Sequence, residues 1–245
     1  MTVTFVGSGD AFGNGGRNQA CISIESPKQD GRVLLDCGAT SLTPMKRLGI
    51  DPNDVTTVFI SHLHGDHFGG LPFLILDGQF RRRHTSLTIA GPPSTRERLF
   101  TAMECLFPGS AGAHRRFDVN VVELAPREPE SLAGLDVLPR EVLHPSGAPA
   151  FGYRLHAEGR TIAYTGDTAW TDQIALLAAG ADLLIAEAYS FDEPIPHHLS
   201  HAQLVAHADQ LMSKRVIITH MSPTMLAETP SSGFEMASDG LVLKL

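Results

Sequence analysis

Val55-Thr56-Thr57-Val58-Phe59-Ile60-Ser61-His62-Leu63-His64-Gly65-Asp66-His67 is an apolar strand that runs straight into a cluster of metal-binding side chains. Residues 55–60 are almost wholly β-branched or aromatic, which suits a buried strand. The next residues offer His62, His64, Asp66 and His67. Imidazole and carboxylate are good ligands for a borderline cation such as Zn²⁺. Four such donors in six residues converge only if the chain turns sharply, and Gly65 is expected to make that turn. The plain alternative is a polar loop with accidental histidines, but unpaired buried imidazoles would be costly.

Working outward, further short runs rich in Val, Ile, Phe and Thr predict strands at 2–6, 20–25, 32–36, 86–90, 118–124, 135–143, 182–187, 215–219 and 241–245. Residues 150–165 predict a hairpin with Glu158-Gly159 as its turn. Apolar residues at three- and four-residue spacing predict helices at 41–48, 68–79, 94–106, 171–179 and 201–212. Ser94, Thr171 and Ser200 are the expected N-caps, and Gly180 an expected stop. Strands with helices between them in both halves suit two mixed sheets packed face to face with helices outside. No internal repeat is visible.

The 245 residues (26.3 kDa) suit one domain over 1–245 with ample length for a buried core. Hydrophobic residues at 42% and charged residues at 19% exclude a disordered chain. The formal charge of -8 argues against a protein that wraps nucleic acid. No run of eighteen apolar residues occurs and the start lacks a signal-peptide pattern, so no membrane association is expected. Cys21, Cys37 and Cys105 are scattered and form neither a disulfide framework nor a CxxC pattern, so a cytoplasmic location is expected. The 12 histidines are many for this length.

Three of the remaining candidate donors sit at strand ends. His144 closes 135–143, Asp167 closes the hairpin, and His220 closes 215–219. Any one alone reads as an ordinary loop residue. Together with the first cluster they form a set placed on loops at one edge of a rigid sheet. Gly7-Ser8-Gly9-Asp10-Ala11-Phe12-Gly13 invites a nucleotide-binding reading, but an apolar strand follows where a helix N-terminus would be needed. A structural turn is the better reading. The dense basic runs, Arg81-Arg82-Arg83 and Arg115-Arg116, read as solvated positions, the first at a helix end. A substrate-facing rim is the alternative.

The sequence HLHGDH (62–67), with His144, TGDT around Asp167 and THMS around His220, resembles the metallo-β-lactamase superfamily, and its ribonuclease Z-like branch most closely. VTFVGSGDAF (3–12), LLDCG (34–38), LLIAEAY (183–189) and HLSHAQ (198–203) resemble further marks of that branch. The resemblance spans nearly the whole chain. It implies an αββα sandwich and two divalent metal ions, zinc first, with manganese or iron also suited to the donor set. His62, His64 and His144 would hold one ion. Asp66, His67 and His220 would hold the other, and Asp167 would bridge both together with a hydroxide. Asp66 would serve as ligand and base. His198, supported by Glu187, would supply the catalytic proton, with His197 and His201 as rivals for that role and an ordinary salt bridge as the alternative for Glu187. Asp36 is expected to be a buried, hydrogen-bonded carboxylate that shapes the metal loops.

The chain departs from the branch in two respects. The tRNA 3′-processing enzymes carry a protruding arm between the residues matching His144 and Asp167, and here only 23 positions separate them. Near Thr224, where those enzymes tend to carry a basic residue, there is none. The expected activity is therefore a dinuclear metal-dependent hydrolase, a phosphodiesterase acting on a small or flexible anionic ester. The alternatives are an armless tRNA 3′-endonuclease, a sulfatase or lactonase, and a non-catalytic metal-bound binding protein. Nucleic acid is the disfavoured partner, and a homodimer is admitted by the frequency of dimers in the family.

Overall fold

Two seven-stranded sheets lie face to face in the computed structural model, which describes residues 1–27, 31–231 and 233–245. In chain order the first sheet takes β1 (Thr2–Gly7), β2 (Cys21–Glu25), β3 (Arg32–Leu35), β4 (Val55–Phe59), β5 (Leu87–Gly91) and β6 (Val119–Glu123). The second takes β7 (Glu130–Leu132), β8 (Leu135–Val142), β9 (Ala150–Ala157), β10 (Arg160–Tyr164), β11 (Leu183–Glu187), β12 (Val216–Thr219) and β13 (Phe234–Met236). Finally β14 (Val242–Lys244) returns to pair with β1. The sheet orders are β14-β1-β2-β3-β4-β5-β6 and β13-β12-β11-β10-β9-β8-β7. In each sheet one end is antiparallel and the other parallel, with the switch at β3 and at β10. The halves thus repeat in architecture, although no repeat is legible in the sequence.

Helices cover both outer faces. On the first sheet lie α1 (Leu42–Arg47), α2 (Gly65–Phe68), α3 (Leu71–Phe80) and α4 (Thr95–Leu106). On the second lie α5 (Asp172–Ala178), α6 (His201–Ala206) and α7 (Pro223–Leu226). The core has three parts. Between the sheets, Phe5, Ile22 and Phe59 pack with Phe151, Tyr153 and Ile185. Outside the first sheet, Val58 and Ile89 pack with Met45, Leu74 and Leu99. Outside the second, Leu184 and Ile218 pack with Ile174, Leu204 and Met225. This layering explains the unbroken apolar runs, because a strand covered on both faces needs apolar residues at every position. Leu183 and Ile185 point to the inner layer while Leu184 and Ala186 point to the outer one.

Ser200 caps α6 with a reciprocal capping box to Gln203. Ser94 and Thr171 do not cap as expected. Ser94 sits in the left-handed region at φ 71°, and neither side chain bonds its helix. The helix expected over 68–79 is split into α2 and α3 by Gly69-Gly70, and 201–212 ends early in a short 3₁₀ turn. Glu158 and Gly159 both have positive φ (53° and 72°), as a two-residue hairpin turn requires. The chain between His144 and Asp167 is the β9–β10 hairpin with its flanking loops, and no arm projects from it. Among the described residues, no helix is long and apolar enough to cross a membrane.

Of the basic runs, Arg81, Arg82 and Arg116 are exposed as expected, but Arg83 is not a solvated position. Arg81 pairs with Asp51 (2.6 Å) on the surface. Arg83 is buried and donates to the carbonyls of Thr85, Pro52 and Val55. Arg115 donates to the carbonyls of Ala113 and Ser110.

Candidate metal centre

All the expected donors leave the sheets at one end. The loop after β4 carries His62 and His64 and leads into α2 with Asp66 and His67, while His144, Asp167 and His220 follow β8, β10 and β12. Strands β8, β10, β11 and β12 run the same way, since β8 and β10 are both antiparallel to β9 and the rest are parallel to β10. Their carboxyl ends therefore share an edge, and the loop after β4 faces it. The sheets are tied there by Phe151 N donating to Ser61 O (2.8 Å) and Tyr153 Oη donating to Ile60 O (2.6 Å). The sharp turn does not depend on Gly65, where a Cβ would meet nothing within 4 Å. The tight approach is at Gly166, at φ +58°, where a Cβ would stand 2.8 Å from that of Ser61.

The donors fall into two adjoining groups. In the first, His62 Nε2 lies 3.2 Å from His64 Nδ1, which lies 3.1 Å from His144 Nε2. In the second, His67 Nε2 lies 3.3 Å from both Asp66 and Asp167, and His220 Nε2 lies 3.2 Å from Asp167. Asp167 also faces His62 at 3.9 Å, so it stands between the groups. Within each group the donor atoms lie within 4.8 Å of one another.

These residues fit divalent cations on three grounds. Donors about 2.0–2.1 Å from a tetrahedral ion stand roughly 3.4 Å apart, close to the spacings here. Three outer ring nitrogens are held by the protein, His62 Nδ1 by Ser61 Oγ (3.1 Å), His144 Nδ1 by His197 O (3.0 Å) and His67 Nδ1 by Asp36 (2.7 Å), whereas His220 Nδ1 has no partner among the described residues. Such bonds fix the tautomer and turn the other lone pair inward. Lastly, buried His67 Nε2 has no hydrogen-bond partner among the described residues.

The electrostatics agree. Burial pushes His62 well below the usual imidazole range, and His144 and His220 below it, which keeps them neutral as ligands must be. Burial also lowers His67, but Asp167, Asp66 and Asp36 outweigh it and hold that imidazole well above its ordinary value. Asp66 and Asp167 are held low against the effect of burial, by His67 beside Asp66 and by His220 and His67 beside Asp167. The cluster is rich in buried negative charge that a cation would neutralise.

Asp36 is the hub behind the loops, as expected. It accepts from Ser61 N, Ser61 Oγ and Tyr164 Oη (2.7, 2.8 and 2.7 Å) besides its contact with His67. Nothing in the sequence pattern marks its partners Ser61, which opens the SHLHGDH stretch, and Tyr164, which falls in the expected hairpin. His198 stands beside the donors on the loop before α6, with its ring 4.9 Å from that of His144. Its Nδ1 bonds Glu187 (2.9 Å), whose other oxygen accepts from Thr168 N. Burial, followed by the Asp167 charge, pushes Glu187 up to about 8. Burial lowers His198, but the Glu187 bond outweighs it and the net shift is upward. Of the rivals, His197 lends only its carbonyl to His144, and buried His201 accepts from Ser231 N (3.0 Å).

A cleft of about 250 Å³ opens over the cluster, lined by Ala11, Phe12, His64, Asp66, Asp167, Tyr189, Ile195, His198 and His220. None of the basic-run arginines lines it. Phe12 and Tyr189 end quoted motifs (3–12 and 183–189) that assign them no role, and Ile195 lies outside any; only the folded chain brings the three to the cleft.

Comparison with known proteins agrees with this architecture. Residues 31–221 match the family model described as "Beta-lactamase superfamily domain". A ribonuclease Z of Methanothermobacter thermautotrophicus is 31% identical, with 91% of this chain and 87% of that protein covered. Human tRNase Z, short form, superposes with a TM-score of 0.82 at 25% identity, covering 100% of this chain and 99% of that one. A diphosphatase from the PhnP family superposes with a TM-score of 0.78 at 21% identity, covering 100% and 97%.

Proposed function

The chain belongs to the beta-lactamase superfamily, and we propose that this metallo-β-lactamase-fold hydrolase cleaves the phosphodiester bond of a small or flexible anionic ester, using two divalent cations, zinc first. The observation that carries the reading is the two adjoining donor groups with Asp167 standing between them, and the His198–Glu187 pair beside them in one cleft. His62, His64 and His144 would hold one cation; Asp66, His67 and His220 the other; Asp167 both. When bound, such ions lower the pKa of a water and neutralise charge on a phosphoryl group. The relative named ribonuclease Z supports a phosphodiester as the bond.

In hydrolysis, water oxygen joins phosphorus, the bond to the leaving oxygen breaks, and that oxygen needs a proton. His198 is the chain's donor. Glu187 takes its Nδ1, which leaves Nε2 as the atom that can face the leaving oxygen. Thr168 N anchors Glu187 in turn, so the imidazole is oriented from behind. Asp66 lines the cleft, and the family resemblance gives it the role of base as well as ligand. The absent arm and the cleft's lack of lysine and arginine disfavour large nucleic acids, whose affinity rests on phosphate contacts.

A substrate panel on metal-replete protein tests this: bis(p-nitrophenyl) phosphate, cyclic nucleotides, aryl sulfates, lactones and precursor tRNA. Diester turnover that Asp167→Ala lowers by orders of magnitude is expected. Faster cleavage of precursor tRNA than of small diesters supports the armless endonuclease. Turnover of sulfates or lactones alone, or of nothing, overturns the phosphodiesterase.

A further inference from the structure

The geometry points to Phe12, which lines the cleft together with Tyr189, as a stacking platform that selects phosphodiesters carrying a planar ring of nucleobase type next to the scissile phosphate. This rests on the phosphodiesterase reading and adds the substrate's recognised part.

Phe12 is 79% exposed, yet it lines the same cleft as the metal donors. Its loop is pinned from several sides. Asp10 accepts from Phe12 N (3.2 Å), from Asn14 N (3.1 Å) and from the Asn14 side-chain amide (2.5 Å). Gln19 Nε2 donates to Ala11 O (2.9 Å), and Gly9 N donates to Asn18 O (2.7 Å). Each of these bonds fixes the backbone around a ring that the protein leaves uncovered. The local hydrogen bonds thus present Phe12 to the cleft and do not bury it.

Tyr189 supplies a second ring to the lining. Tyr189 packs at 5.0 Å from His198 and 6.1 Å from His220, so it is fixed against the catalytic edge. Ala11 and Ile195 complete an apolar border, and no lysine or arginine lines the cleft. A site without a cation beyond its metal donors has nothing to hold a second phosphate. Its selectivity then lies in apolar and stacking contact, which every nucleobase can make through its π-face. The modest volume admits one such ring beside the reacting phosphate, not a chain of them.

The test uses full-length, metal-replete protein and two diesters with one leaving group: thymidine 5′-(p-nitrophenyl) phosphate and methyl p-nitrophenyl phosphate. Loss of a base–aromatic stack is worth about 5- to 100-fold. Phe12→Ala is expected to raise KM for the nucleoside diester by that factor and to change the methyl diester at least fivefold less, with Phe12→Trp restoring the difference. Phe80→Ala, which removes an equally exposed aromatic on α3, is expected to change neither. Equal losses on both diesters, or none, overturn the platform. Binding gives a second reading that needs no turnover. Calorimetry should find thymidine 5′-monophosphate bound more tightly than inorganic phosphate, with Phe12→Ala erasing the difference. If that holds and neither diester turns over, the platform stands and the phosphodiesterase reading falls. If the two ligands bind alike, the platform falls whatever the turnover.

Discussion

His198 stands outside the two groups assigned to cations but within reach of both, since its ring offers a donor within 4.8 Å of those of His144 and Asp167. Its imidazole is held by Glu187 and stacks against His220, with ring centroids 5.9 Å apart. A positioned acid contributes typically about 10²–10⁴-fold, but only where the leaving oxygen needs a proton. His198→Ala should therefore lower turnover of alkyl-leaving diesters by about that factor and of p-nitrophenyl esters far less, with metal content unchanged. Equal losses on both would make His198 a substrate-positioning group, and loss of metal would make it a ligand. The positive φ at Asp36, His197 and His220 (59°, 65° and 60°) shows how closely backbone conformation is specified around this residue. None of that is written in side-chain type, so the sequence names the chemistry of these positions but not their strain.

At the scale of elements, the strands are the most legible part, because burial on both faces leaves a short unbroken apolar run bounded by turn residues. The segments that escape prediction are those in which local signals are weakest. β7 and β13 have three residues each, and β7 is largely exposed. α7 has four residues, and its N-cap Ser222 and Pro223 read from sequence only as the tail of a motif. The donor residues are legible for a related reason: each ends a strong apolar run, and a parallel arrangement sends such ends to one edge. The walls of the cleft are not, since the motifs that end in Phe12 and Tyr189 do not show that the two rings line one cleft until the fold places them. An acid-sensitive joint lies between β10 and β11. Asp182 accepts from Lys214 (2.8 Å), Thr161 N (2.8 Å) and Arg160 (3.1 Å), and the Lys214 bond foremost, then the Thr161 amide, holds it down to about 2. A depressed carboxylate adds stability above its unfolded pKa of about 3.9, and that stability is lost as pH falls through the folded value. Both cationic partners are exposed, so the contribution is at most about 1 kcal/mol. Asp182→Asn should be less stable than the parent at pH 5, with the gap closing between about pH 4 and pH 2 in urea unfolding. A gap independent of pH would assign the effect to packing.

For the whole molecule, the decisive fact is that neither half owns the cluster. His62, His64, Asp66 and His67 come from the first half and His144, Asp167 and His220 from the second, so cations bound there would cross-link the two. Ligand present at 100 times its dissociation constant stabilises the folded state by about 2.7 kcal/mol. For a chain of this size that is roughly 5–10 °C in Tm. Chelation should lower the thermal midpoint by that order, and added zinc should raise it with the logarithm of its concentration. A midpoint indifferent to both would mean that the donors bind no cation tightly. The repeated sheet also has a consequence for expression and handling. Each sheet keeps its inner face dry only by lying on the other, and β14 must return across nearly the whole sequence to close the first. A chain caught with one sheet assembled shows bare Val3, Phe5, Ile22, Ile24 and Phe59 as a slab that fits another unfinished chain as well as its own missing half. Substitutions that slow either half should therefore surface first as lost soluble yield at high concentration, before any fall in the activity of the molecules that do fold.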